Sequence, residues 1–160
     1  MIVRRLVAAL CGAVLLVSAV GCAAIDREES ITAAEARSRA VEVFRDVTAL
    51  APTTWPDGVP DPIANDCQMG RDRGVQFTYF AEIDAPADPR ALVQQAAAHW
   101  REDGYTLTAT DKPIDDETGH IFAVVARASG EPRASMSATR IRAHIYIDSV
   151  CAGGDPDDYR

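Results

Sequence analysis

Val75-Gln76-Phe77-Thr78-Tyr79-Phe80-Ala81-Glu82-Ile83-Asp84, followed by Pro86 and then by Asp88-Pro89, is the stretch on which the fold turns. Val75, Phe77, Tyr79, Ala81 and Ile83 alternate with Gln76, Thr78, Phe80, Glu82 and Asp84, and that period of two predicts a strand with one buried face. Pro86 ends the strand. Asp88 at a cap with Pro89 at the first helical position then predicts a helix. Its buried stripe is Leu92, Val93, Ala96, Ala97 and Trp100, and Gly104 suits the left-handed residue that closes it. His99 lies at the margin of that stripe and reads as a surface or half-buried histidine.

Downstream, three more strands are readable. Tyr105, Leu107 and Ala109 alternate with Thr106, Thr108 and Thr110; residues 120–128 are apolar on both parities through Val125, as in a central strand; residues 135–148 form the last. In that last strand Ile141, Ala143, Ile145 and Ile147 fall on one side, with Arg140, Arg142, His144 and Tyr146 on the other. Upstream, Thr32-Ala33-Ala34-Glu35 has capping-box spacing and opens an amphipathic helix over 33–50, with Ala36, Ala40, Val43, Phe44, Val47, Leu50 and Ala51 toward the core. The predicted fold class is therefore α+β: a mostly antiparallel, four-stranded sheet with two helices on one face, in the order α-β-α-β-β-β.

Between the first helix and the first strand, from Pro52 to Cys67, runs Pro-Thr-Thr-Trp-Pro-Asp-Gly-Val-Pro-Asp-Pro-Ile-Ala-Asn-Asp-Cys, stiffened by four prolines and without period. Trp55 reads either as a lid over the edge of the core or as a wall of a ligand or partner site. A long aperiodic segment inside a compact domain is commonly functional or mobile.

The start of the chain concerns address rather than fold. Arg4 and Arg5 precede an apolar run from Leu6 to Val20, which ends in Ala19-Val20-Gly21-Cys22. A basic start, an apolar middle and a small residue at the cut are the parts of a secretory signal peptide. Val20-Gly21-Cys22 resembles the end of the bacterial lipobox, whose cysteine receives a diacylglyceryl group. The expected division is a signal peptide over 1–21, a lipid-anchored tether over 22–31, one domain over 32–152 and a flexible acidic tail over 153–160. Two acyl chains hold a protein stably to a bilayer, each methylene contributing about 0.8 kcal/mol. The expected location is the cell membrane, facing the extracytoplasmic side. A retained membrane-spanning helix is the alternative for the same residues.

Cysteines follow that reading. Cys11 leaves with the signal and Cys22 is lipidated, so Cys67 and Cys151 remain as a pair in an oxidising compartment. A disulfide is the expected outcome. A metal site or a reactive thiol is the alternative, though no histidine stands at ligand spacing beside either cysteine. Loss of Arg4 and Arg5 leaves 14 basic against 24 acidic side chains, a net charge of −10. Such a domain is repelled by nucleic acid, which removes DNA and RNA as partners.

No nucleophile elbow, phosphate loop or His-Glu-x-x-His is present, so no catalytic residue, metal or cofactor is assigned. Asp115-Asp116-Glu117-Thr118-Gly119-His120 reads as a polar hairpin turn. If the apolar parities face the helices, the opposite sheet face carries Thr78, Phe80, Thr106, Thr108, Thr110, Arg140, Arg142, His144 and Tyr146. That positive and aromatic patch is the candidate binding surface, for an anionic ligand or another envelope protein; a plain solvated face is the alternative.

The lipobox, the Trp-Pro loop before a cysteine, the helix ending in Trp100 and Ser149-Val150-Cys151-Ala152-Gly153-Gly154 together resemble the small secreted lipoproteins of actinobacteria, mycobacterial ones in particular. The resemblance implies a cell-envelope location and no reaction. Three functions are compatible with it: a non-enzymatic lipoprotein binding a partner or small ligand, an accessory subunit of an envelope complex, or a hydrolase pairing His144 with Ser135 or Ser137.

Overall fold

The computed structural model describes residues 31–51 and 54–159. The lipobox, with Cys11 and Cys22, lies outside them, as does most of the tether. Among the described residues no helix is long and apolar enough to cross a membrane.

In chain order the elements are α1 (Ala33–Ala49), β1 (Ile63–Met69), β2 (Asp72–Asp84), α2 (Pro89–Glu102), β3 (Thr106–Asp115), β4 (Gly119–Arg127), β5 (Arg133–Ala138), β6 (Arg142–Asp148), the short β7 (Ala152–Gly153) and a 3-10 turn over Pro156–Tyr159. The sheet order is β1-β2-β6-β5-β4-β3, with every neighbouring pair antiparallel and β7 added beside β2. The α+β class, the two helices and the antiparallel pairing agree with the sequence reading. The expected four strands are corrected to six long strands and one short one among the described residues.

Two features produce that difference. Ile63-Ala64-Asn65-Asp66-Cys67-Gln68-Met69 has no apolar alternation, because β1 is an edge strand on which only Ala64 is buried. Its place is set by pairing with β2 rather than by its own pattern. The expected strand 135–148 is two strands joined at Thr139-Arg140-Ile141. Thr139 Oγ1 accepts from the N–H groups of Ile141 and Arg142 at 3.2 and 3.3 Å and stabilises the turn. The buried positions change parity there, from Ala134, Met136 and Ala138 to Ala143, Ile145 and Ile147.

Both helices lie on one face of the sheet, α1 over β2 and β6, α2 over β3, β4 and β5. The register makes that face continuous: Tyr79 stands opposite Ile147, Ile147 opposite Ala134, Ala134 opposite Ala126 and Ala126 opposite Leu107. Phe44 and Val47 from α1 and Leu92, Val93, Ala96 and Trp100 from α2 close over it. Trp100 is fully buried, and burying one large apolar side chain contributes about 1.5–3 kcal/mol. The caps form as the sequence predicts. Thr32 and Glu35 make the reciprocal box, Asp88 accepts from Ala91 N at 2.9 Å, and Gly104 has φ 85°.

Cys67 and Cys151 form the expected disulfide, their Cα atoms 5.9 Å apart. It ties β1 to the approach of β7. The expected loose tail is corrected as well. Pro156 is fully buried, and the Tyr159 ring meets Phe77 edge-on at 5.2 Å between centroids.

Candidate functional site

The face of the sheet away from the helices is the one the sequence singled out, and the β2–β6 register decides what meets there. Tyr146 stands opposite Phe80, His144 opposite Glu82 and Arg142 opposite Asp84. The Phe80 and Tyr146 rings lie 4.7 Å apart and His144 stacks on Phe80 at 5.9 Å, giving a three-ring cluster. Tyr146 is 42% exposed, so the cluster reaches solvent. His144 Nδ1 lies 2.9 Å from Glu82 Oε2 without a formed hydrogen bond, and the two make an ion pair when the imidazole is protonated. Arg142 approaches the same oxygen at 3.7 Å.

Below the cluster the face is a polar ladder. Asn65 donates to Thr78 Oγ1, Thr78 donates to Asp148, and Arg133 pairs with Asp148 at 3.1 Å. Thr106, Thr108 and Thr110 are on the same face but at the far strand β3.

Arg140 does not join this surface. It sits in the β5–β6 turn and donates to the backbone carbonyls of Asp116 and Glu117, so it joins two hairpin turns. The expected positive patch is therefore corrected to a mixed one, with Glu82 and Asp84 interleaved with Arg142 and His144. Asp115–Gly119 is the expected hairpin turn. Thr118 N donates to Asp115 Oδ1 at 2.6 Å, and hydrogen bonds from Thr118 hold the Asp115 carboxyl below its ordinary range.

Trp55 is only 5% exposed, as a lid would be, and its indole N–H has no partner among the described residues. The loop that follows it does reach the candidate surface. Pro56 to Pro60 stand off from Phe80, Ala81 and Glu82 of β2 and leave an open cleft of about 290 Å3 with Phe44 as its floor. The Trp-Pro loop and the aromatic face, separate candidates in the sequence, share Phe80 and Glu82. Nothing in the local pattern signals this, because it depends on where β1 stops.

The register also places Ser137, His144 and Glu82 in one row across β5, β6 and β2, and Ser135 opposite Tyr146. Ser137, His144 and Arg142 line a second open cavity of about 340 Å3. A nucleophile, a base and an acid are thus neighbours. A proton relay requires them to be hydrogen-bonded in sequence, and among the described residues no such bond joins Ser137 to His144. The described residues contain no group of three or more candidate metal ligands.

An antiparallel sheet with both helices on one face and an open aromatic-polar surface on the other defines an α+β domain. No protein family matches this chain by sequence, and no curated protein matches it. A solved structure shares the fold: a DUF4853 family protein from Actinomyces odontolyticus, with TM-score 0.56 and 15% identity over 80% of this chain and 72% of that one. At that identity the likeness concerns the fold alone.

Proposed function

We propose that this chain is a lipid-anchored, non-enzymatic lipoprotein of the cell envelope that binds a partner or small ligand outside the cytoplasmic membrane. The observation that carries the docking part is the exposed Phe80–His144–Tyr146 cluster with Glu82 and Arg142, on a sheet face that neither helix covers. Aromatic and arginine side chains around a half-buried centre are the composition of binding hot spots. The lipobox ending at Cys22 supports the anchor, and the Cys67–Cys151 bridge fits an oxidising compartment.

The test uses a photo-crosslinking amino acid at Tyr146, with the same group at the exposed Glu42 on α1 as control, in membranes of the native host. The proposal expects a discrete adduct from position 146 that is absent at 42 and is lost when Phe80→Ala is added. Identical adduct patterns at both positions would contradict it.

A further inference from the structure

We propose that the free half of β2, from Tyr79 to Asp84, receives an extended peptide of alternating basic and apolar residues as an added strand; this rests on the docking reading above and names its mode and partner chemistry. β1 pairs with β2 only as far as Thr78, opposite Ile63, while β2 continues to Asp84 beside β6 alone. The Phe77 carbonyl accepts from Ser149 N on the β6 side. With a period of two, odd residues of β2 bond toward β6, and Phe80 and Glu82 turn their N–H and C=O groups to the side β1 has left. Among the described residues nothing on that side bonds to them. Unpaired strand edges of this kind are the template for strand addition.

Beside Phe80 to Glu82 the chain before β1 diverges from β2 and opens a cleft. Pro60 and Pro62 fix φ at two of the three positions where β1 would continue, and the loop swings out to leave the 290 Å3 cleft. An added strand would put alternate side chains on opposite faces. The one opposite Ala81 points to the helix side, where Phe44 forms an apolar floor. Those opposite Phe80 and Glu82 point to the open face, beside an aromatic ring and a carboxylate.

Charge selects the partner. The charged groups lining the cleft are Asp57 and Glu82, both acidic. Glu82 is shared with Arg142 and His144, whereas Asp57 has no ion-pair partner among the described residues. Arginine or lysine opposite Glu82 gains that carboxylate and the face of Phe80. A second copy of this chain fits less well, because edge-to-edge pairing would bring two Glu82 carboxylates together on a protein of net charge −8.

The probe is the peptide Arg-Val-Arg-Val-Arg, titrated into the mature, disulfide-bonded protein in detergent micelles and followed by amide NMR. A second peptide carries N-methyl groups on the amides that would face β2. The expected result is saturable shifts at Phe80 and Glu82 with amide exchange slowed about tenfold or more, no binding by the methylated peptide, and a switch of preference to Glu-Val-Glu-Val-Glu in Glu82→Lys. Equal binding by the methylated peptide, shifts elsewhere, or none at millimolar peptide would overturn the proposal. If crosslinks from position 146 persist while Phe80 and Glu82 stay unprotected, strand addition falls and the docking reading stands.

Discussion

Gly74 stands opposite Cys67 in the β1–β2 register, and a Cβ added there would lie 2.5 Å from the Ala152 carbonyl oxygen and 2.9 Å from Cys151 Sγ. The neighbours are a paired backbone and a disulfide, so neither yields cheaply. Gly74→Ala is expected to cost about 1–3 kcal/mol, the range of overpacking, and a urea midpoint at wild type would contradict this. Tyr105 supplies a titration. Burial first, then Glu131 and Asp103, push its phenol up to about 12. Above pH 10 the unfolded chain releases this proton and the fold retains it, so stability falls as pH rises from about 10 to 12. Tyr105→Phe should flatten that slope in alkaline unfolding curves, and an unchanged slope would exclude the assignment. At this scale the cysteine pair was legible, because compartment and count left few choices. Arg140 was not, since its carbonyl partners lie 23 and 24 residues away in another turn.

Among the elements, β2, α1 and α2 were readable because each carries its own period and its own stop: alternation ending at Pro86, a capping box, and Asp88-Pro89 with Gly104. β1 was not, since an edge strand with one buried residue has no pattern to read. The β5–β6 turn left a trace in the parity change between Met136 and Ile145. Thr139 is the side chain that holds that turn. Thr139→Ala removes an acceptor from two N–H groups and is expected to destabilise by about 1–2 kcal/mol; heteronuclear relaxation at Arg140 and Ile141 as rigid as in wild type would contradict this. The candidate surface follows the same logic. Arg142, His144 and Tyr146 were placed by alternation, while the cleft beside Phe80 follows from the length of a strand that had no signal.

For the whole molecule, the two ends of the domain meet: Thr32 makes a parallel bridge with Gly153, beside the disulfide and the docked tail. The ten residue steps from Cys22 to Thr32 extend at most roughly 35 Å, so an anchored domain would present this end to the bilayer. The Cys67–Cys151 bridge spans a sequence separation of 84, and on the chain-entropy argument a loop of that size contributes about 4–5 kcal/mol. Reduction should lower the unfolding midpoint accordingly, and an unchanged midpoint would mean that the sheet alone supplies the stability. The most direct check on the account is the intact mass of the protein purified from its native host, with and without reductant and alkylation. The account predicts a chain beginning at Cys22 with added acyl mass and two cysteines that alkylate only after reduction. A chain beginning at Met1 with thiols free before reduction would contradict the anchor, the compartment and the bridge together.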